Sequence, residues 1–305
     1  MGTVPAVFPT MGEALEEVAT ATRSERREKT EFQEKRWRTP RELAVDNFHK
    51  VLRRRPALDQ ITRSDARRFR DYWHERVTND GMSLSAANKQ IGILAKTFRD
   101  WCELHDEDLR NPFERLRLKG VDRSSRLPFS PDWVRNRLLA PKAFDGINQE
   151  AREIFFIMIN TALGPSEIID ANEDEWCLDC DIPHLRVSDE HRALKTAHRS
   201  RDIPLLGVSL GAAKRLAAMG GVQRYKGKAS TWSAAINKYM TLHGLRETSD
   251  HTAYSLRHYV EDELLRTGAD ERVRSDILGH KYNRPRYGSG GGLSVRRDAL
   301  AKIAI

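Results

Sequence analysis

The sequence predicts a mainly α-helical chain with one small antiparallel β-sheet, an α+β protein built as two domains. Three observations lead there. Apolar residues recur at three- and four-residue intervals along most of the chain, the period of an amphipathic helix. Strand-like text is confined to three short runs, HLRVSD at 184–189, ALKTAH at 193–198 and SRDIPLL at 200–206, joined by tight turns. A Ser-, Arg- and Pro-containing stretch, VDRSSRLP at 121–128, divides the helical text as an interdomain linker does. A length of 305 residues is enough for two separate cores.

In chain order, residues 1–38 read as an N-terminal helical arm. Leu15, Val18 and Ala19 give only a thin apolar stripe, and RSERREKTEFQEKRWR mixes both signs, so a solvated charged helix is expected. Residues 39–120 read as a small helical bundle. Leu43, Phe48, Val51 and Leu52 fall at helical spacing before Pro56 ends the run. Thr62 is the expected N-cap of a helix that puts Ala66, Phe69, Tyr72 and Trp73 on one face. The clearest amphipathic helix carries Ile91, Leu94, Ala95, Phe98, Trp101 and Cys102, with Ser85 as its expected N-cap. After the linker, residues 129–305 open on the helix SPDWVRNRLL and the buried helix EAREIFFIMINTAL. The three strands follow, then helices in SLGAAKRLAAM, WSAAINKYMTLHG, SLRHYVEDELLRTG and DERVRSDILGH. Gly268 and Gly279 stand where a helix C′ residue should.

Composition narrows the function classes. With 39% hydrophobic and 31% charged residues the chain is soluble and globular, and no run approaches the roughly 18 apolar residues of a membrane span. The net charge of +8 favours a polyanion. The excess is local: eight Lys or Arg lie between Lys50 and Arg70, against Asp59 and Asp65. Arg53, Arg54, Arg55, Arg63, Arg67 and Arg68, with Lys89 and Lys96 on the next helix, form the candidate DNA-facing patch. Three cysteines make no disulfide framework and fit a reducing cytoplasm. Cys177, Cys180 and His184 have the spacing of half a zinc site, but no second Cys/His pair follows at suitable spacing, so no metal is expected. The GSGGG run after Tyr287 lacks the Lys-Ser/Thr of a phosphate-binding loop and reads as a tether.

An ordered set of motifs remains. TALGPSE ends the buried helix, Lys195 precedes RDIPL, a helix opens with YSLRH, and LGH is followed by Tyr282 and Tyr287. This order resembles the tyrosine recombinases of the phage-integrase family, over the helical bundle through NPFERL and over 127–305. The resemblance implies a two-domain DNA clamp, a core-binding domain plus a catalytic domain. It implies cutting and rejoining of DNA strands through a 3′-phosphotyrosyl intermediate, without metal or nucleotide cofactor. Its partners would be double-stranded DNA and further copies of the chain, a tetramer on paired sites, in the nucleoid. Residue by residue, Tyr287 matches the nucleophile, Arg257 the second-motif arginine, Lys195 the general acid and His280 the histidine at the scissile phosphate. Glu167 and His258 match supporting positions. Tyr282 lies too close to His280 to be the nucleophile. The segment LSVRRDALAKIAI matches the tail that often packs on a neighbouring protomer in that family.

Two positions depart from the pattern. The second motif normally begins His-x-x-Arg, and here reads Tyr254-Ser-Leu-Arg257; a phenol can still donate one hydrogen bond to a phosphate. The first motif normally reads Thr-Gly-x-Arg-x-x-Glu, and here reads Thr161-Ala-Leu-Gly164-Pro-Ser-Glu167. Gly164 stands at the place of the first catalytic arginine. Losing one preorganised donor costs ~3 kcal/mol of transition-state stabilisation, about a hundredfold or more in rate. The alternative reading is therefore a recombinase-like DNA-binding protein with impaired or absent chemistry.

Overall fold

A computed structural model describes residues 8–26, 31–120, 127–190, 199–282 and 292–305. The chain forms two compact units, 1–124 and 125–305. None of the described helices is long and apolar enough to cross a membrane.

The first unit is a four-helix bundle of α1 (Met11–Ala21), α2 (Glu31–Leu52), α3 (Arg63–Asn79) and α4 (Leu84–Leu104). A reciprocal capping box between Thr10 and Glu13 starts α1, and the same device between Thr62 and Asp65 starts α3. Met11, Ala14, Leu15, Val18 and Ala19 are buried, so α1 is part of the core where the sequence suggested a solvated helix. Its stripe is thin because two of its five members are alanines, yet a narrow stripe suffices against a neighbour as apolar as α4. Helix α2 runs through Pro40 instead of starting after it, at the loss of one backbone hydrogen bond. That register exposes Leu43 and buries Ala44, Val45, Phe48 and Leu52. Phe48 is the hub, edge-on to Phe69 and Phe113 at 5.5 and 5.2 Å. Helix α4 begins two residues earlier than expected, capped by Ser83, whose Oγ accepts from the Ala86 N–H at 3.1 Å.

The second unit wraps helices around α6 (Gln149–Ile159). It opens with α5 (Pro131–Trp133), which continues as a π-type turn over Val134–Leu138. Helix α6 is polar only in its first turns; Ile154, Phe155, Ile157, Met158 and Ile159 are all buried. Its one buried carboxylate, Glu153, is matched by Arg152 and Arg215 at 2.8 and 2.7 Å. The short α7 (Pro165–Ile169) leads to an antiparallel sheet of β1 (Trp176–Cys177), β2 (His184–Val187) and β3 (Arg201–Pro204), in that order. Strand β1 was not expected from the sequence, and the expected strand ALKTAH, with Lys195, lies outside the described residues. Helices α8 (Gly207–Ala218), α9 (Ala229–Leu242), α10 (Ser255–Arg266), α11 (Glu271–Leu278) and α12 (Gly292–Ala301) complete the unit. Gly268 and Gly279 both have positive φ, 74° and 64°, as C′ residues do.

The tail is docked on its own unit. Leu300 and Ile303 fill the same core as α6, Val208 N–H donates to the Ile305 carbonyl at 2.7 Å, and the Asn160 amide donates to it at 3.1 Å. Gly207 makes room: a Cβ there would lie 2.1 Å from the Ile305 oxygen. Within this chain the apolar acceptor for Leu300 and Ile303 is the core around α6.

Candidate active site

Four elements converge where α6 ends. Thr161 folds its hydroxyl back on the Ile157 carbonyl at 2.7 Å, and Ala162 then turns left-handed at φ 54°. That turn presents the Ala162 carbonyl to the Arg257 guanidinium, which reaches up from α10; the other Arg257 nitrogen donates to the Leu278 carbonyl at the end of α11. A left-handed alanine stores about 1 kcal/mol or more that glycine does not. Ala162→Gly is therefore expected to stabilise the unit by about 1 kcal/mol, read as a higher denaturant midpoint at unchanged slope.

Gly164 caps α7 from extended backbone, φ −74° and ψ 149°. Its N–H donates to Glu167 Oε2 at 2.7 Å. Glu167 is buried and is gripped by Arg201 of β3 in a two-pronged pair, 2.9 Å to Oε1 and 3.0 Å to Oε2, the strong geometry for this pair. Arg201 also donates through Nε to the Ile277 carbonyl at 3.0 Å, tying β3 to α7 and α11. Gly279 is required by this close approach: a Cβ there would lie 2.8 Å from Arg201 Nη1. Arg199 adds a third guanidinium, 3.5 Å from Glu167 Oε1, with its side chain 25% exposed.

His280 follows Gly279 at the open edge of the cluster, its Nε2 3.4 Å from Arg257 Nη2. Three arginines thus surround one carboxylate. Burial alone would raise the Glu167 pKa. The charge and hydrogen bonds of Arg201, the Gly164 N–H and the Arg257 charge outweigh it and hold the carboxyl below its ordinary value. Burial lowers the pKa of Arg257, with Tyr254 and Glu167 favouring its charge and Arg201 and Arg199 opposing it. Desolvation and the Arg257 charge lower the pKa of His280, against the pull of Glu261. Burial and the neighbouring guanidiniums thus disfavour the charged form of the ring.

The residues selected from the sequence are therefore distributed as follows. Glu167, Arg257 and His280 meet in one cluster with the backbone of Gly164. Tyr254 stands at the start of α10, half-buried, close enough to Arg257 to bear on its charge and edge-on to His258 at 5.9 Å. His258 is placed against Tyr254. Tyr287 and Lys195 lie outside the described residues. Arg199 and Arg201 were missed. The signal for Arg201 was present: strand alternation puts it on the same inward face as Ile203, and an inward arginine demands a buried acceptor.

In the first unit the candidate DNA-facing residues separate. Arg53, Arg67 and Arg68 line one groove with Lys50, Ser64 and Tyr72. Lys89 and Lys96 line another, with Arg26, Arg41, Trp37 and Arg117. There the guanidiniums of Arg26 and Arg41 sit over the Trp37 ring at 3.9 and 4.0 Å. Lys96 is paired with Asp100 at 2.8 Å, and Arg54 with Asp65 at 2.7 Å. Arg63 donates to the Pro112 carbonyl at 2.7 Å and serves the bundle itself, while Arg55 is exposed.

No protein-family model and no curated protein matches the chain. Solved structures do. The Tn1549 transposon integrase in complex with transposon right end DNA is 16% identical, with a TM-score of 0.62 over 96% of this chain and 95% of that one. A lambda integrase dimer bound to a COC′ core site is 16% identical, TM-score 0.63, over 90% of this chain and 75% of that one. A shorter lambda integrase, residues 75–356, on the same kind of site gives 0.63 over 92% and 98%. Mainly helical, and with one three-stranded antiparallel sheet among the described residues, the chain has the fold of the tyrosine-recombinase integrases that its motifs resemble.

Proposed function

We propose that the protein is a site-specific DNA strand transferase that acts through a phosphotyrosine. The observation that carries this reading is the cluster of Arg199, Arg201 and Arg257 around the carboxylate of Glu167, with His280 at its exposed edge. The local charge is two positive in excess, which suits a phosphodiester passing to a pentacoordinate state with added negative charge. Similarity to integrases solved on DNA supports the choice of polyanion.

In the proposed step the Tyr287 hydroxyl loses its proton to solvent, its oxygen attacks the phosphorus, and the bond to the 5′-oxygen breaks. Lys195 gives its proton to that leaving oxygen, and the 3′-phosphate stays on the tyrosine. Attack by a 5′-hydroxyl on the phosphotyrosine reverses the sequence. Arg257 and His280 hold the non-bridging oxygens, and Tyr254 adds a hydrogen bond. Arg199 replaces the guanidinium that Gly164 does not supply, less effectively, since it is shared with Glu167. The first unit would grip the duplex through its basic grooves, and four copies would assemble on two sites.

The test uses a nicked duplex bearing the recognition site, obtained by binding selection from random-sequence DNA and incubated without magnesium. A denaturation-resistant protein–DNA adduct is expected, absent from Tyr287→Phe. An adduct that survives in Tyr287→Phe refutes the reading. A second reading, a DNA-binding protein without strand chemistry, is favoured by Gly164 alone; it requires tight binding and no adduct.

A further inference from the structure

Strand β1 is only two residues long, and its register sets Cys177 opposite His184 of β2. The turn that follows β1 brings Cys180 back to them. The ligand atoms of Cys177, Cys180 and His184 all lie within 4.8 Å of one another. Tetrahedral zinc, with Zn–S near ~2.3 Å and Zn–N near ~2.0 Å, sets its ligands roughly 3.5–3.8 Å apart. Binding requires the two thiols to close a difference of about 1 Å.

The histidine is preset for ligation. His184 Nδ1 lies 2.8 Å from the Ile182 carbonyl. A carbonyl can only accept, so Nδ1 carries the proton and Nε2 carries the lone pair. A ring N–H donated to a backbone carbonyl is the usual outer support of a zinc-bound histidine. The imidazole is also buried, so its orientation is fixed by packing before any ion arrives.

We infer that Cys177, Cys180 and His184 form a zinc-binding site that staples β1 to β2, with solvent in the fourth position. The sequence argued against a metal because no fourth protein ligand follows at suitable spacing. The fold gathers three soft donors at one end of a sheet, a set that selects zinc over magnesium or calcium. Two residues of ladder hold β1 weakly, and the ion would supply the missing constraint. The next strand carries Arg201, so the staple also stiffens the sheet from which the arginine cleft is built. The inference stands apart from the proposed strand chemistry, since neither thiol enters that cleft.

The experiment takes the reduced, full-length chain, strips it with a chelator, and titrates Co²⁺ as the spectroscopic probe with Zn²⁺ in competition. Expected are one ion per chain, thiolate-to-cobalt absorption, the visible bands of tetrahedral cobalt, and displacement by zinc. Cys180→Ser, at an exposed position, leaves the fold intact. It should weaken binding by more than the ~10–100-fold lost with an outer-shell partner, and should lower the thiolate absorption per ion. Far-ultraviolet circular dichroism of that variant confirms folding. The inference is overturned if the reduced chain binds no cobalt at micromolar concentration, or if Cys180→Ser binds as tightly as the parent. It is also overturned if a Cys177–Cys180 disulfide forms equally fast with and without zinc.

Discussion

Gly164→Arg is expected to raise the rate of adduct formation by up to about a hundredfold, the inverse of losing one preorganised donor. The backbone at 164 is ready for it. Its φ of −74° and ψ of 149° suit any residue, and a Cβ would meet Glu167 at ordinary distances, 3.5 Å to Oε2 and 3.8 Å to Cδ. The N–H that caps α7 onto Glu167 is unchanged by the substitution. The new guanidinium would stand beside the carboxylate that already organises Arg199 and Arg201. Arg199→Ala gives the second half of the cycle. In the parent it should abolish the residual cleavage, whereas in Gly164→Arg it should matter little, because one group then does what the other did. Equal loss in both backgrounds would remove Arg199 from the chemistry and leave it a structural cation. Rates are to be read from single-turnover adduct formation at saturating protein, so that changes in DNA affinity do not enter.

Glu167→Gln is expected to be the most destabilising single change in the second unit, at about 3–5 kcal/mol, the cost of breaking a buried ion pair from one side. The amide keeps the size but removes the charge that three guanidiniums share, two of them buried. It also cannot accept everything that the two carboxylate oxygens now accept from Gly164 and Arg201. The pH dependence follows from the depressed pKa. Its stabilisation is complete above the ordinary Glu value of 4.5 and is lost as pH falls through the folded-state value. The stability gap between parent and Glu167→Gln, from denaturant titrations, should therefore be full at pH 7 and shrink in acid. A gap independent of pH would mean that the carboxylate is not the group holding the cluster.

The cluster's legibility in sequence differed from residue to residue. Arg257 and His280 were visible only through the resemblance, in the motifs YSLRH and LGH; taken singly, each reads as an ordinary helix or helix-end residue. Glu167 was visible by the same resemblance, and the structure adds that it caps α7 through the Gly164 N–H. Arg201 was hidden in a strand only four residues long, where one inward charge looks like any alternation. Its acceptor lies 34 residues away on another element. Lys89 and Lys96 looked continuous with Arg53, Arg67 and Arg68 because they are near in sequence. The bundle puts them in different grooves, since α4 and the α2–α3 corner present different faces.

By itself the sequence determined the helical class and the positions of the caps at Thr62, Gly268 and Gly279. These depend on periodicity and local backbone preference, which act over a few residues. Tertiary structure alone decided that α1 is core, that the tail at 292–305 docks on its own unit, and that Arg199 and Arg201 close on Glu167. It also brought Cys177, Cys180 and His184 within reach of one ion. Each of these depends on which surfaces are left unburied once the helices and strands exist, and on the high cost of leaving a buried charge or an apolar face without a partner. That balance is struck between elements far apart in the chain, where no local pattern records it.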